Sequence, residues 1–185
     1  EANDPWDFAI VGEPTNLRVV RGCKGSCRFT IHTEGRAAHS SEPGEGANAI
    51  VGMAPVLEAV QAFFDDEIAR FTREGFSPCT GSVGLIEGGT AVNIVPDTCA
   101  TTFDIRTVPG QDTTATLTAL ETFVRERVKE RDGYKLIFDP PYHESPNFET
   151  SAGHPLVQTA CELRDQHEAD TVAFGCDGSK LAAAG

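Results

Sequence analysis

Four polar residues stand where their side chains could serve an enzyme. Glu13 directly follows the apolar run DFAIVG, and His39 lies in the small-residue stretch GRAAHSSEP. Asn93 lies in GGTAVNIVP, whose glycines permit close backbone approach, and Arg106 ends the alternating run TCATTFDIR. Side chains of these types serve in proton transfer, metal binding and anion binding. A carboxylate at the end of a buried strand stands where α/β domains bind ligands, so Glu13 is a candidate of that kind.

Spacing alone does not assemble these residues into a known catalytic set. The five histidines show no H-x-H or H-E-x-x-H spacing, and VGLIEGG has neither the G-x-G-x-x-G order nor a P-loop lysine. Ser40-Ser41 lacks the G-x-S-x-G frame of a nucleophile elbow. The four candidates also have structural uses, as a solvated acid, an exposed hydrogen-bonding imidazole, an Asx turn and a surface ion pair. The residues alone leave both interpretations open.

Composition narrows the class of protein. The 185 residues are 39% hydrophobic, which is enough for a substantial core, and the formal net charge is -13. That charge repels phosphate backbones and anionic membranes, so we expect no nucleic-acid or membrane partner. The sequence shows no secretory start and no apolar run that could span a bilayer, which favours a cytoplasmic location. The six cysteines show no paired C-x-x-C spacing, and we expect reduced, buried thiols.

The middle of the chain alternates between strand and helix periodicity. Cys27, Phe29 and Ile31 share one face of a predicted strand, and the apolar residues of 47–71 recur at helical spacing although Pro55 falls among them. Asp112 is positioned to cap a second helix that Asp132-Gly133 would end. The predicted order is a strand at 23–34, a helix at 47–71, strands at 81–87 and 98–106, a helix at 113–128 and a strand at 134–138. This β-α-β-β-α-β order predicts an α+β, ferredoxin-like sandwich.

The two flanks of this sandwich have a different character. DFAIVG at 7–12 predicts a short buried parallel strand, and the far end predicts a helix at 154–168 and a strand at 171–174. SKLAAAG then begins a further helix. We therefore predict that residues 1–22 and 141–185 are parts of an incomplete α/β domain, into which the sandwich at 23–140 is inserted. On this interpretation the chain is a segment of a larger protein.

Five segments together resemble one enzyme family. They are VGEPTNLRVVRGCKG, GRAAHSSEPGEGANAI, GGTAVNIVPD, FDIRTVPGQD and FGCDGSKLAAAG. In this order they resemble the zinc-dependent amidohydrolases and exopeptidases that include acetylornithine deacetylase, succinyl-diaminopimelate desuccinylase, aminoacylase and glutamate carboxypeptidase. The H-S-S-x-P and N-A-I pattern is most similar to the acetylornithine deacetylase type. The match covers nearly the whole chain, and five motifs in order are more specific than any one of them.

The resemblance implies that residues 23–140 are a dimerisation domain, that residues 1–22 and 141–185 belong to a catalytic domain, and that each candidate residue has a role. In such enzymes two zinc ions bind a water, lower its pKa and polarise the scissile amide, and a glutamate acts as general base. Glu13 would be a carboxylate ligand of one zinc, and His39 would hydrogen-bond the oxyanion in a neighbouring subunit. Asn93 would contact the substrate or oxyanion, Arg106 would bind the substrate carboxylate, and Asp177 in the GCDGS turn would line the substrate pocket.

The sequence also departs from this family. The metal-binding histidine, the bridging aspartate, the adjacent pair of glutamates and the final histidine ligand have no counterpart among the residues that match. One carboxylate cannot hold two zinc or cobalt ions, so we expect this chain alone to be inactive and metal-free. The resemblance implies that the full-length parent is a homodimer that hydrolyses a small N-acyl amino acid or a dipeptide-like substrate.

Two other functions remain possible for the same elements. A ferredoxin-like sandwich also serves as a non-catalytic dimerisation or small-ligand-sensing module, because fold alone does not decide function. An RNA-recognition domain shares the β-α-β-β-α-β order, but the acidic composition and the absence of paired aromatic residues disfavour it.

Overall fold

The fold consists of a central antiparallel sheet, two helices that cover one face of it, and a smaller flanking sheet. The computed structural model describes residues 7–128 and 133–184. The strands are β1 (Val20–Cys23), β2 (Ser26–Glu34), β3 (Ala38–His39), β4 (Thr80–Gly88), β5 (Ile94–Val95), β6 (Thr98–Arg106), β7 (Lys135–Phe138), β8 (His143–Ser145), β9 (Phe148–Glu149) and β10 (Asp170–Val172). The helices are α1 (Ala49–Asp66), α2 (Thr113–Arg127), α3 (Pro155–Arg164) and α4 (Gly178–Ala184).

The central sheet has the ferredoxin-like strand order. Its neighbours run β4-β6-β2-β7, and β8 pairs with β2 beyond β7. All of these pairings are antiparallel. In chain order β2, α1, β4, β6, α2 and β7 form the β-α-β-β-α-β unit, so the predicted α+β sandwich is confirmed.

The core lies between the sheet and the two helices. The alternate residues of β6 that were predicted to share a face are all buried there, as are Cys27, Phe29 and Ile31 of β2. Phe103 stacks on Phe29 with ring centroids 5.3 Å apart and meets Phe64 of α1 edge-on at 6.3 Å. The period-two pattern therefore identified the buried face correctly, because successive strand side chains point to opposite faces.

The helices begin where the capping residues indicate. The Asp112 side chain accepts a hydrogen bond from the Ala115 amide at 3.0 Å, as predicted, and Asn48 accepts one from Val51 at 3.2 Å. Pro55 lies inside α1 without ending it. The predicted stop at Asp132 lies outside the described residues. No helix within residues 7–128 and 133–184 is long and apolar enough to cross a bilayer.

The face of the sheet away from the helices carries both polar and apolar side chains, and it includes the exposed Leu85 of β4 opposite Thr102. It carries hydrogen bonds between Thr30 and Thr102 at 3.3 Å and between His32 and Asp139 at 2.7 Å. These two hydrogen bonds join side chains of neighbouring segments on a sheet face that no helix of the described chain covers.

A separate three-stranded sheet flanks the sandwich. Its order is β10-β1-β9, with β1 parallel to β10 and antiparallel to β9. Because β1 precedes the sandwich in the chain while β9 and β10 follow it, the sandwich is an insertion between strands of this flanking sheet. The boundaries at residues 22 and 140, and the assignment of the flanks to a catalytic domain, stay predictions.

The predicted strand at residues 7–12 is wrong. Residues 8–13 have no regular secondary structure, and the side chains of Phe8 and Ile10 are 61% and 79% exposed. A buried parallel strand needs neighbours on both sides, and no strand of the described chain pairs with this segment. The apolar side chains of this segment therefore stay largely exposed in the described chain.

The expectation of buried thiols is correct for four of the six cysteines. Cys161 and Cys176 are partly exposed instead. Both belong to the flank, where Val157 is the buried residue of α3 and the helix has little cover. The helix predicted at 47–71 was too long: α1 ends at Asp66, and Phe71 is exposed beyond it. Ile50 lies within α1 but is also exposed, beside Gly88 and Gly89.

Candidate functional site

A short two-stranded antiparallel sheet, made of β3 and β5 and called the hairpin from here on, brings together two of the candidate residues, His39 and Asn93. β3 and β5 pair antiparallel, with Ala38 opposite Val95 and His39 opposite Ile94. The Ser40 amide also donates to the Asn93 carbonyl at 3.0 Å. The motifs that contain His39 and Asn93, which are more than fifty residues apart in the chain, therefore form one surface.

Glycine makes the close approach behind this hairpin possible. A Cβ at Gly35 would lie 2.0 Å from the Ala47 carbonyl oxygen, which no side chain tolerates. The Gly35 amide donates to the Asp97 carbonyl at 2.7 Å, and the Ala49 amide donates to the Pro96 carbonyl at 2.8 Å. These bonds fix the segment before α1 against the segment before β6, and thus fix His39 relative to Asn93.

Hydrogen bonds from Ser41 to Nδ1 select one tautomer of the neutral His39 ring. The Ser41 backbone amide lies 3.2 Å from His39 Nδ1, and the Ser41 hydroxyl lies 2.7 Å from the same atom. An amide N–H can only donate, so Nδ1 accepts and the neutral ring carries its proton on Nε2. The exposed His39 side chain therefore presents an N–H donor away from its own loop.

An open groove of about 570 Å³ lies beside the hairpin. The Asn93 side chain is exposed, and within the described residues its amide group makes no hydrogen bond. Both side chains of the hairpin are thus available to a ligand. The groove is lined by backbone and side chains that include Ser40, Asn48, Ile50, Gly89, Val92 and Pro96.

Arg106 lies in a different place, at the far end of β6. Its guanidinium group binds Asp104 through two hydrogen bonds, Nε–Oδ1 at 2.6 Å and Nη2–Oδ2 at 3.1 Å. Arg28 of the neighbouring strand donates to the same carboxylate at 2.8 Å. One acid thus neutralises one of two guanidinium groups, and no hydrogen bond from the part of the chain that the structure describes occupies Nη1 of Arg106.

A buried lysine adds to the positive charge at this end. The side chain of Lys24 is 2% exposed and donates to the Pro78 carbonyl at 2.5 Å. Burial lowers the pKa of Lys24 from its ordinary value, and the nearby Arg106 charge lowers it further, although Cys79 opposes this. Lys24, Arg28 and Arg106 thus bring three basic side chains together in a chain whose net charge is -13.

The turn that carries Asp177 lies at this same end. The hydroxyl groups of Ser145 and Ser179 are 3.1 Å apart, which ties the start of α4 to β8. β8 places Ser145 opposite Ser26 at the beginning of β2. Asp177 itself is exposed and pairs with Lys180 at 3.2 Å, a contact that contributes little in water.

The structure therefore separates the predicted site residues into two groups. The first, the hairpin end, holds His39 and Asn93, and the second, the arginine end, holds Arg106 and the turn of Asp177. β6 connects them, because it begins just after β5 and ends at Arg106. The eight residue steps from Thr98 to Arg106 correspond to roughly 25 Å, which is much longer than an N-acyl amino acid. Within one chain the two ends do not face the same small substrate.

Glu13 belongs to neither group. It is half-buried in the irregular segment before β1, so it does not stand at the tip of a strand in this structure. No group of three or more histidine, cysteine, aspartate or glutamate side chains within residues 7–128 and 133–184 could hold a metal ion. The described residues do not form a zinc or cobalt site, and a metal role for Glu13 stays a prediction.

Sequence reasoning missed three residues that shape these groups. Ser41 sets the tautomer of His39, while Arg28 and Asp104 surround Arg106. Arg28 and Asp104 could have been suspected, because each points away from the core in its alternating strand. Their pairing depends on the register of β2 and β6, which places Arg28 opposite Asp104.

Comparison with known proteins identifies the family. The sequence profile of the M20 peptidase dimerisation domain matches residues 21–132, more than half of the chain. The chain belongs to the M20 peptidase family. It is 30% identical over 174 residues to an acetylornithine deacetylase from Aliivibrio fischeri, and 33% identical over 163 residues to one from Vibrio vulnificus. These matches cover 91% and 85% of this chain but 44% and 42% of the relatives, so the M20 chain spans less than half their length.

Solved structures share the fold of this M20 chain. A tripeptidase from Staphylococcus aureus superposes with a TM-score of 0.66 at 21% identity, covering 90% of this chain and 43% of the tripeptidase. Human carnosine dipeptidase 1 superposes with a TM-score of 0.65 at 14% identity, covering 89% and 46%. These likenesses establish that the sandwich and its flanks have the arrangement found in M20 peptidases.

Proposed function

We propose that this chain is the dimerisation domain and adjoining catalytic flank of a hydrolase that cleaves the amide bond of N-acyl amino acids. The acetylornithine deacetylases to which it is similar support this substrate class. The observation that carries the proposal is the separation of the hairpin end from the arginine end. Two copies of the chain are needed to bring His39 and Arg106 to one substrate.

The proposed roles follow from the geometry of each group. When water attacks the amide carbon, the carbonyl oxygen becomes an oxyanion, and the Nε2–H of His39 from one copy donates a hydrogen bond to it. Asn93 adds a second donor from its side-chain amide. Preorganised donors of this kind stabilise the transition state more than the ground state, because the negative charge develops on the oxygen.

Arg106 of the other copy binds the carboxylate of the amino acid. A guanidinium fork matches a carboxylate in shape and charge, and its orientation is fixed by Asp104. Asp177 lies at the same end and lines the pocket in this proposal. Activation of the attacking water is assigned to groups outside the described residues.

Mixing two inactive variants tests the shared site. His39→Ala and Arg106→Ala homodimers should each lose most of their activity toward N-acetylornithine. In a heterodimer of the two, one composite site combines the intact Arg106 of one subunit with the intact His39 of the other. Random exchange of subunits should then restore about a quarter of the wild-type activity. If heterodimers form, as shown by two affinity tags, and activity stays lost, the shared site is wrong.

A metal measurement tests Glu13 separately. In the full-length protein Glu13→Gln should lower the bound zinc or cobalt, while His39→Ala should leave it unchanged, because only the former loses a proposed ligand. Metal content by mass spectrometry provides the readout without an activity assay. Unchanged metal in Glu13→Gln would remove Glu13 from the ligand set.

A further inference from the structure

Two thiols far apart in the sequence lie in contact in the flanking sheet. The Sγ atoms of Cys23 and Cys176 are 3.5 Å apart, although 153 residues separate them. Cys23 is fully buried in β1, whereas Cys176 is partly exposed in the turn before α4. The contact therefore links the inside of the flanking sheet to a surface that a small solute can reach.

The backbone holds both cysteines in this position. Cys23 pairs with Val172 on one side and with Phe148 on the other. The Cys176 carbonyl accepts hydrogen bonds from the Ser179 amide at 3.1 Å and from the Ser179 hydroxyl at 2.8 Å. A disulfide has sulfur atoms about 2.05 Å apart, so closure needs the two atoms to approach by only about 1.5 Å.

We propose that Cys23 and Cys176 are a redox-modification site that closes to an intramolecular disulfide by exchange with a low-molecular-weight disulfide such as glutathione disulfide. The Cys176 thiol loses its proton and attacks one sulfur of glutathione disulfide, which forms a mixed disulfide and releases one glutathione. Cys23 then loses its proton and attacks the Cys176 sulfur, which releases the second glutathione. Two protein thiols are oxidised, and one disulfide is reduced to two thiols.

Exposure decides the order of these steps. Cys176 meets the soluble disulfide first, because Cys23 has no exposed surface. Burial raises the pKa of the Cys23 thiol to about 12, and contact with Cys176 contributes to the rise. Cys23 therefore remains a thiol at neutral pH and enters the reaction only through its contact with Cys176.

The disulfide would act on the turn next to it. Asp177 follows Cys176 directly, and Gly178 packs against the Cys176 sulfur, since a Cβ at Gly178 would lie 3.3 Å from it. Closure would tie this turn covalently to β1 and restrict the movement of Asp177 at the arginine end. The site itself does not depend on the proposed hydrolase activity.

Peptide mapping of the purified protein tests the disulfide directly. After incubation with glutathione disulfide and trapping of free thiols, digestion without reductant should yield a cross-linked peptide pair that contains Cys23 and Cys176. Dithiothreitol should separate the pair. Cys23→Ala should instead accumulate a stable glutathione adduct on Cys176, because the second attack is missing.

Two further variants keep the test sharp. Cys176→Ser should leave Cys23 unmodified, since the buried thiol then has no accessible partner. Because position 176 is partly exposed, this variant should fold even if Cys23→Ala does not. Cys161→Ser is the matched control at another partly exposed thiol and should keep the cross-link. Glutathione adducts on Cys161 or Cys176 without any Cys23–Cys176 peptide would overturn the proposal.

Discussion

The hairpin end and the arginine end of the sandwich are built in different ways. At the hairpin end, backbone hydrogen bonds between two loops hold exposed neutral donors, His39 and Asn93, beside an open groove. At the arginine end, side chains do the positioning: Asp104 holds Arg28 and Arg106 between neighbouring strands. In the proposed function, the hairpin end would meet a negative charge that develops in the reaction, and the arginine end would bind a charge that the substrate already carries.

Under the proposed function, this difference explains why one chain would not be sufficient. Donors that act on the reacting carbonyl and a fork that binds the carboxylate must lie within one small molecule of each other. β6 separates them by roughly 25 Å in a single chain. A second copy can place its hairpin end opposite the arginine end of the first, which is the arrangement that the predictions below test.

The largest effect is expected at the hairpin end. His39→Ala removes a donor to the oxyanion and should lower kcat by about 10²- to 10³-fold with little change in KM, since the lost contact exists only in the transition state. Steady-state kinetics with N-acetylornithine measures this. His32→Ala is the matched control, because His32 is bound to Asp139 on the open face. A normal kcat in His39→Ala would remove the oxyanion role.

The next largest effect concerns the anchoring of the flanking sheet. Glu149 accepts hydrogen bonds from Arg21 and from Arg73, the latter at 2.6 Å, and the Arg21 and Glu149 side chains are nearly buried. Glu149→Gln leaves the two guanidinium groups without their carboxylate, so we expect a loss of about 3 kcal/mol in the free energy of unfolding at pH 7. Urea unfolding provides the measurement.

The same carboxylate predicts a pH dependence. Although burial raises the pKa of Glu149, hydrogen bonds from Arg21 and Arg73 lower it overall, below its ordinary value of 4.5. A depressed pKa in the folded state stabilises the protein above about pH 4.5, and this contribution is lost as the pH falls through the folded-state pKa. The acid limb of stability should be flatter in Glu149→Gln. Identical acid limbs in both proteins would contradict this.

A smaller effect is expected at the arginine end. Arg106→Lys keeps the charge but loses the fork, so KM should rise by about 10-fold while kcat changes little. Arg28→Lys is the matched comparison, because Arg28 shares Asp104 from the neighbouring strand. It should raise KM less. Equal increases in the two variants would mean that the substrate carboxylate binds between them and that Arg106 is not the specific ligand.

The smallest expected effects come from removing helix caps, which should lower stability without necessarily changing catalysis. Asn48→Ala and Asp112→Ala each remove a helix cap and should each lower the free energy of unfolding by about 1 kcal/mol. Only Asn48 lines the groove of the hairpin end. Asp112→Ala should therefore leave kcat and KM unchanged. Thermal unfolding and kinetics on the same samples check both statements, and an altered KM in Asp112→Ala would contradict the second.

The local sequence pattern was sufficient to predict the strands of the sandwich but not the first strand of the flank. The alternation of Phe29 and Phe103 predicted buried faces, because each residue reports its own side of the sheet. DFAIVG carries an equally apolar pattern but forms no strand here, since a strand also needs hydrogen-bonding neighbours. The apolar run before Glu13 therefore did not predict where Glu13 lies in the structure.

The sequence by itself determined the order of helices and strands in the sandwich, its buried faces, the cap at Asp112 and the motifs that identify the M20 family. These depend on residues close together in the chain. Only the tertiary structure decided that His39 lies with Asn93, that Arg106 shares Asp104 with Arg28, and that Cys23 touches Cys176. Such contacts depend on strand register and loop packing, which residues distant in the sequence settle together when the core forms.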